Sequence, residues 1–195
     1  MEWFDRPMMS GRHVRLEALS QEHAEGLHEA GGDPDVWTWL GDPQPRDLDG
    51  TRALIQKALD QYERGERVPF AQIDARTGRV AGTTSFYDLS PRDRGLAIGH
   101  TWIGTPWHRT GLNTEAKLLM LTRAFEELGA IRVAWHTHGR NVRSQNAIAR
   151  LGATFEGVVR NHRIRYDGTF RDTYQYSMID TEWPDARKAL KARLR

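Results

Sequence analysis

The order of periodic segments changes halfway along this chain of 195 residues, and that order limits the folds open to it. In the first half, alternating apolar and polar residues predict three consecutive strands, over 68–74, 79–87 and 96–103. In the second half, segments at helical spacing alternate with strand-like segments. Hairpins followed by β-α-β crossovers predict an α/β fold with one mixed sheet and helices on both faces.

The remaining segments complete the order β-α-α-β-β-β-α-β-α-β-β-α. We expect further strands over 14–18, 131–137, 154–159 and 173–179, and helices over 21–30, 51–64, 114–128, 141–151 and from 183 onward. The turn-rich stretch 33–50 is predicted to form a lid or binding loop, because long loops in compact domains are usually functional or disordered. Without a repeat or linker, the sequence predicts a single domain over 1–195, with a core over about 11–179 and a C-terminal helix over 183–193.

Composition excludes several classes of function. Cysteine is absent, which excludes disulfides, thiolate catalysis and Cys-based zinc sites. Hydrophobic residues make up 38% and charged residues 28%, a mixture typical of soluble globular proteins. No secretory signal and no apolar run long enough to span a membrane can be recognised, so we expect a cytoplasmic protein without a membrane partner.

The charge balance is mildly basic, with a net charge of +2 and 24 Arg among the 28 basic residues. Arg is the better planar partner for phosphate and carboxylate, so this bias is compatible with an anionic ligand. It is too small to demand nucleic acid, and a codon-usage bias would explain it equally well.

The segment 98–116 carries the clearest chemical signal, because it reads as a strand, a tight loop and a helix start. Unpaired amides and the helix dipole make such a helix start an anion site. Gly111 would let the backbone approach a phosphate of a nucleotide-like cofactor, and Arg109 would add a charged donor. An ordinary βα loop is the alternative. The Gly-Lys-Ser/Thr ending of a phosphate-binding P-loop and the further glycines of a dinucleotide fingerprint are both missing.

Together with its neighbours, this segment resembles the GNAT acyl-CoA N-acyltransferases, and within them the RimJ/RimL-type N-terminal acetyltransferases of ribosomal proteins. The similarity runs from about residue 11 to residue 179. It rests on motifs in the family's order: Ile98-Gly99 leading to Trp102-Ile103, Gly111, Thr114-Glu115-Ala116, Asn141-x-x-Ser144, Arg150-Leu151-Gly152-Ala153, Phe155-Glu156-Gly157 and Arg171-Asp172. The loop departs from the family pattern at His108 and Asn113, so that only its central glycine matches.

The resemblance implies a sheet that splays apart at a bulge near Gly99 and admits the pantetheine arm of acetyl-CoA, with no metal. It implies the following cofactor-binding residues: Trp102, Ile103, His108, Arg109, Thr110, Gly111, Leu112, Asn113, Thr114, Asn141 and Ser144. Ser144 is the candidate partner of the departing thiolate, because Ile148 occupies the position of the family's tyrosine. A solvent-facing hydroxyl is the alternative for Ser144. His136 and His138 have the spacing of a metal pair, but no third ligand follows them.

The general base is not evident, because Arg163 stands where the related ribosomal-protein enzymes have a glutamate. Four histidines, His100, His136, His138 and His162, are candidates, since a neutral imidazole near pH 7 suits the task. We select His100, beside the predicted bulge, as a catalytic and substrate-binding residue, and Trp37 as a substrate-binding residue. Core or lid packing is the alternative for Trp37 and for its neighbour Trp39.

The absence of a glutamate at position 163 also affects which class of acceptor amine we expect. A lysine-like amine with a pKa of about 10.4 is neutral in roughly one molecule in 2,500 at pH 7, whereas an α-amine is neutral in roughly one in ten. A site without a strong base therefore favours an α-amine or a small amine of low pKa.

Three functions stay open at this stage. The leading one is an acetyl-CoA-dependent N-acetyltransferase acting on a protein N-terminus or a small amine, as a monomer or a homodimer. The second is a non-catalytic CoA-binding or sensing module, for which the irregular loop and the missing base are the evidence. The third is an RNA- or ribosome-associated binder, for which the basic run 160–165 is the evidence.

Overall fold

The computed structural model describes residues 2–194 and contains one eight-stranded sheet in the order β1-β2-β3-β4-β5-β6-β8-β7. The strands are β1 (Met9–Ser10), β2 (Val14–Ala18), β3 (Arg67–Asp74), β4 (Val80–Ser90), β5 (Gly95–Ile103), β6 (Arg132–His138), β7 (Thr154–Ile164) and β8 (Phe170–Ile179). The α-helices are α1 (Ala24–Ala30), α2 (Leu48–Glu63), α3 (Gly111–Thr122), α4 (Val142–Ala149) and α5 (Trp183–Arg193). All neighbouring strands are antiparallel except β5 and β6, which run parallel.

Alternation along the strands builds a separate apolar cluster on each face of the sheet. On one face, Phe70, Phe86 and Ile98 pack with Met120 of α3 and Leu190 of α5, all nearly inaccessible to solvent. On the other face, α1 and α2 supply an apolar cluster that covers the opposite side of β3; its members include Leu27, Ile55, Ala71 and Ile73. The prediction of a mixed α/β sheet with helices on both faces is therefore confirmed.

Two predicted boundaries are wrong in ways that matter for the site. Helix α3 begins at Gly111 rather than at Thr114, because the Thr110 hydroxyl accepts a hydrogen bond from the Leu112 amide and caps the helix three residues earlier. Strand β7 continues to Ile164 rather than ending at Val159, so most of the basic run 160–165 lies within a strand of the β7–β8 hairpin. The strand predicted over 131–137 is observed over Arg132–His138, and Ile131, directly before it, is 38% exposed.

Glu115 ties α3 to the start of the sheet. Its carboxylate accepts hydrogen bonds from the backbone amides of Arg12, His13 and Val14 in the turn between β1 and β2. A Cβ added at Gly11 would lie 2.3 Å from this carboxyl group, so that only glycine fits there. Glu115 thereby fixes the position of His13 against the first turn of α3.

Lys117 lies two residues further along α3 and is buried among hydroxyl groups. Its Nζ donates to Thr84 Oγ1 at 3.0 Å and to Thr101 Oγ1 at 2.8 Å, with no carboxylate within ion-pair distance in the described part of the chain. Burial lowers the pKa of Lys117 to about 7. The lysine therefore joins α3 to β4 and β5 as a hydrogen-bond donor that is only partly protonated at neutral pH.

Candidate functional site

The parallel strands β5 and β6 separate after three residue pairs. Gly95, Leu96 and Ala97 pair with Arg132, Val133 and Ala134, and pairing stops there although both strands continue. Beyond this point β5 stays hydrogen-bonded to β4 and β6 stays hydrogen-bonded to β8. The result is a gap in the sheet at the carboxyl ends of two parallel strands, where α/β proteins bind ligands.

A β-bulge in β5 accompanies the separation. The interval from Thr83 to Ser85 on β4 faces the longer interval from Gly99 to Trp102 on β5. His100 occupies the bulge with a left-handed φ of +48°, which is uncommon for a residue other than glycine. The bulge predicted from Gly99 therefore lies one residue further along.

Gly99 has a packing role of its own, because the Tyr87 ring crosses β5 directly over it. A Cβ at Gly99 would lie 2.6 Å from Tyr87 Cε1. Across this point the Tyr87 hydroxyl reaches β6, where it lies 2.8 Å from Nδ1 of His136. Burial raises the pKa of Tyr87, which keeps the phenol protonated at neutral pH.

The loop between β5 and α3 presents backbone donors to one end of the gap. The amides of Thr110, Gly111 and Asn113 have no hydrogen-bond partner among residues 2–194, as expected at a helix start. Arg109 precedes them with a φ of +59° and an exposed side chain. His108 is held by a 3.1 Å contact between its Nε2 and the Ile103 carbonyl.

Gly111 allows a close approach of the His13 ring, whereas we expected it to allow the approach of a phosphate. A Cβ at Gly111 would lie 3.0 Å from the His13 ring, so that the glycine accommodates the turn anchored by Glu115. Gly111 therefore has a packing role in addition to its predicted role in ligand binding.

The N-terminus of α4 lies at the carboxyl end of the other splayed strand. Asn141 caps this helix, and its Oδ1 accepts a hydrogen bond of 3.0 Å from the Ser144 amide. The half-buried Ser144 hydroxyl has no hydrogen-bond partner within the described residues. Two helix starts and their polar side chains thus flank the gap.

A cavity lies on the α1–α2 face of the sheet beside the bulge. Trp37 is buried there, with its ring 5.3 Å from that of Trp102 and its Nε1 donating to the Gly31 carbonyl at 2.8 Å. Both tryptophans line the cavity together with His100 and Arg67. Trp37 therefore shapes the cavity wall and is itself held by core packing.

His100 is electrically neutral in this environment. Crowding by the surrounding protein lowers the pKa of its imidazole, and the neighbouring cations Arg67 and Lys57 lower it further. Burial likewise lowers the pKa of His136, with the nearby Asp88 carboxylate opposing that shift. The structure brings His100 and His136 to the same tyrosine, since the Tyr87 ring is 5.2 Å and 5.9 Å from the two imidazoles.

The 33–50 stretch reaches across the gap to the second half of the sheet. Trp39 packs its ring 4.7 Å from that of His138 at the end of β6. The guanidinium of Arg165, in the β7–β8 hairpin, donates to the Thr38 carbonyl at 2.7 Å. These contacts place the loop as a cover over the cavity. They also show that Arg165 of the basic run has a partner within the chain.

Tyr87 was not singled out from the sequence, and neither was Arg67. Arg67 directly precedes the predicted strand 68–74 and Tyr87 is the last residue of the predicted strand 79–87, positions where a basic or aromatic residue gives no signal of its own. Only the pairing of Arg67 with Tyr87 across β3 and β4 brings them to one face.

His162, His138 and Ser144 lie outside the contacts around Tyr87. No group of three or more metal-ligating side chains occurs within residues 2–194.

The observed groups suit the CoA moiety that the family resemblance implies. The unpartnered amides of Thr110, Gly111 and Asn113 and the Arg109 guanidinium match a pyrophosphate, and the open edge of β5 at Trp102 matches an amide-containing arm. No helix within the described residues has the length and apolar character to cross a membrane.

Comparisons with known proteins agree with this geometry. Residues 13–154 match the acetyltransferase (GNAT) domain family. A solved structure of a GCN5-related N-acetyltransferase from Brucella melitensis is 32% identical, with a TM-score of 0.92 over 98% of this chain and 86% of that one.

Two proteins of Bacillus subtilis (strain 168) are also similar. YoaA, an uncharacterized N-acetyltransferase, is 26% identical over 89% of this chain and 97% of its own length. YdaF, provisionally named a ribosomal N-acetyltransferase, is 32% identical over 54% of this chain and 57% of its own length. The chain belongs to the GNAT family of acetyltransferases, which use acetyl-CoA as acetyl donor, and is an acyl-CoA N-acyltransferase.

Proposed function

We propose that this protein transfers the acetyl group of acetyl-CoA to a primary amine by direct attack in a ternary complex. The observation that carries the proposal is the separation of β5 from β6 after Ala97 and Ala134, between two helix starts. The loop at Gly111 leads into α3 on one face of the sheet, and the cavity lies on the α1–α2 face. Donor and acceptor can therefore enter from different sides and meet at the bulge.

The donor supplies an acetyl thioester, and this chain holds it. The edge of β5 at Trp102 and Ile103 binds the pantetheine arm. The pyrophosphate is bound by residues 108–114, with Arg109 as the charged partner and the loop amides as donors. Asn141 and Ser144 border the arm near the sulfur, and the Ser144 hydroxyl donates to the departing thiolate. The N–C bond to the amine forms as the C–S bond breaks.

The proton released by the amine needs an acceptor, and His136 is better placed for this than His100. A general base works best when its pKa lies near the working pH, and the pKa of His100 is lowered both by the surrounding protein and by nearby cations. His136 has the Tyr87 hydroxyl at Nδ1 and Asp88 Oδ2 at 3.8 Å from the same atom. In the tautomer whose Nδ1–H donates to Tyr87, Nε2 is available to accept the proton. His100 then lines the acceptor pocket.

The acceptor class follows from the absence of a carboxylate base. An α-amine or a small amine of low pKa needs less help to lose its proton than a lysine side chain does. We place the chain in the RimJ/RimL-like branch, on the Phe155-Glu156-Gly157 and Arg171-Asp172 motifs and on the similarity to YdaF. Both a protein N-terminus and a small molecule satisfy this class.

The test is release of free CoA thiol from acetyl-CoA in the presence of an N-terminal peptide, single amino acids, simple amines and polyamines. Amine-dependent release supports the proposal. Calorimetric binding of acetyl-CoA without release for any amine would instead identify a non-catalytic CoA-binding module. A clear preference for polyamines would contradict the argument about the base.

A further inference from the structure

The cavity beside the bulge contains a cation, Arg67, that makes no ion pair within residues 2–194. Arg67 donates from Nε to the Ser85 hydroxyl at 2.8 Å and from Nη1 to the Gln61 side chain at 3.3 Å. Both partners are neutral, and no carboxylate lies within 4.0 Å of this guanidinium in residues 2–194. Desolvation by the surrounding protein lowers the pKa of Arg67 to about 10, so it stays charged at neutral pH.

The other charges at the cavity do not neutralise Arg67. Lys57 and Asp42 also line the cavity, and they pair with each other, with 2.6 Å between Nζ and Oδ1. Asp42 raises the pKa of Arg67 from a distance, but its charge is balanced by that of Lys57. The remaining titratable wall residue is His100, whose imidazole is neutral. The cavity therefore carries one uncompensated positive charge.

A second guanidinium approaches from the far side of the gap. Arg171 of β8 lies opposite Arg163 of β7, a like-charge pair that costs stability in a sheet. The Nε of Arg171 is buried and has no hydrogen-bond partner among residues 2–194. The positive charges of Arg67 and Arg171 both act on His100, which lies between them in the sheet order.

Burying a charge without a partner is costly, and a site that keeps such charges usually binds the opposite charge when occupied. Resting on the proposed acetyl transfer, we propose that the acceptor is a small amine that also carries an anionic group, a carboxylate or a phosphate, bound by Arg67 with Arg171 in support. The cations would also disfavour the protonated form of the nearby amine, which compensates for the missing carboxylate base.

The register of the sheet sets the size of such an acceptor. Arg67 reaches Ser85, which pairs with Gly99 next to the bulge. The guanidinium therefore lies roughly one strand spacing, about 5 Å, from the strand where acetyl transfer takes place. The apolar wall formed by Trp37, Trp102 and Leu40 suits an uncharged side chain on the same molecule. Amine and anion are thus separated by only a few bonds, as in an amino acid.

The experiment compares matched acceptors by CoA release. L-leucine is compared with L-leucinamide and 3-methylbutylamine, which keep its side chain but lack the anion, and O-phosphoethanolamine is compared with ethanolamine. We expect kcat/KM for the anionic member of at least one set to exceed that of its neutral counterparts by tenfold or more. A preference in the leucine set identifies a carboxylate as the anionic group, and a preference in the ethanolamine set identifies a phosphate.

The same comparison is made with Arg67→Gln, Arg67→Lys and Arg64→Gln. Arg67→Gln should abolish the preference, mainly by raising KM for the anionic acceptor, and Arg67→Lys should restore part of it. Arg64 is exposed and paired with Glu66, so Arg64→Gln should behave as wild type. Unchanged calorimetric affinity for acetyl-CoA shows that each variant is folded.

The outcomes separate the two proposals. Equal turnover of anionic and neutral acceptors, or a preference that survives in Arg67→Gln, would overturn the anionic acceptor and leave acetyl transfer standing. Absence of CoA release with every amine, despite bound acetyl-CoA, would overturn both.

Discussion

The Tyr87 hydroxyl and Nδ1 of His136 lie 2.8 Å apart, although the strands that carry them are separated by β5. The contact is made only because Gly99 leaves room for the phenol ring to cross β5. It fixes the plane of the imidazole at the edge of the gap. A histidine oriented in this way is a suitable proton acceptor at a site without a carboxylate base.

We expect His136→Gln to lower kcat/KM for the amine by roughly 10²–10⁴-fold, the contribution typical of a general base. In the wild type, the rate should fall as the pH drops through the pKa of His136. This pKa lies below the ordinary value for histidine, because burial disfavours the charged ring. His136→Gln should lose this acidic limb in a pH–rate profile. Tyr87→Phe should keep the limb and lose roughly 2–10-fold in rate.

His162 provides the control for this experiment. It is exposed on β7 and lies outside the Tyr87 contacts. His162→Gln should keep the rate and the acidic limb, with only a small rise in the midpoint of the limb, because His162 contributes to lowering the pKa of His136. An equal loss of rate in the two variants would refute the assignment of His136.

Ser144→Ala should lower kcat more than it changes the affinity for acetyl-CoA. The hydroxyl would act on the departing thiolate, whereas the cap of α4 uses the Ser144 amide and survives the substitution. The expected loss in kcat is roughly 10–100-fold. CoA release sampled at fixed times gives kcat, and calorimetric titration gives the affinity for acetyl-CoA. The exposed Asn146 on the same helix gives a control in Asn146→Ala, and an unchanged rate for Ser144→Ala would return Ser144 to a solvent-facing role.

Gly111→Asp should abolish binding of CoA, because it adds a negative charge at the helix start where the pyrophosphate would bind. Gly111→Ala separates charge from size. Its Cβ would lie 3.0 Å from the His13 ring, so a small rearrangement and a modest loss of affinity are expected. Calorimetric titration with CoA compares the two variants. Equal affinities for wild type and Gly111→Asp would show that the pyrophosphate binds elsewhere.

The sequence predicted the sheet, its flanking helices and the region of the gap, because these depend on periodicity and on glycine and cap residues that act locally. It misplaced the start of α3, since the Thr110 cap adds a turn before the apolar stripe begins. It gave no sign of Arg67 or Tyr87. Their significance comes from strand register and from the crossing over Gly99, which bring together residues distant in sequence.

Glu115→Gln should destabilise the protein by roughly 2–3 kcal/mol, because a carboxylate that accepts three backbone amides is replaced by a group with one acceptor and an opposing donor. The turn that carries His13 against Gly111 would loosen, so a weaker affinity for CoA should accompany the loss. Urea unfolding and calorimetry measure the two effects. Glu63→Gln, at an exposed position at the end of α2, is the control, and equal stability of both variants would contradict the anchoring role.

Lys117 makes the stability of the fold depend on pH in the alkaline range. Its pKa is about 7 in the folded protein and about 10.4 in an unfolded chain, so between these values the unfolded state binds more protons. The free energy of unfolding should therefore rise with pH from about 7 to about 10, with a slope of up to about 1.4 kcal/mol per pH unit from this group. Below pH 7 the buried ammonium is charged in both states, and its full desolvation cost remains.

Lys117→Met should remove this slope and stabilise the protein most at neutral pH and below, since Thr84 and Thr101 keep the 2.8 Å hydrogen bond between their hydroxyls. Urea unfolding of both proteins at several pH values between 6 and 10 gives the difference that belongs to Lys117 alone. Lys188→Met, at an exposed position on α5, should reproduce the wild-type curve. Parallel curves for wild type and Lys117→Met would mean that Lys117 keeps its ordinary pKa in the folded protein.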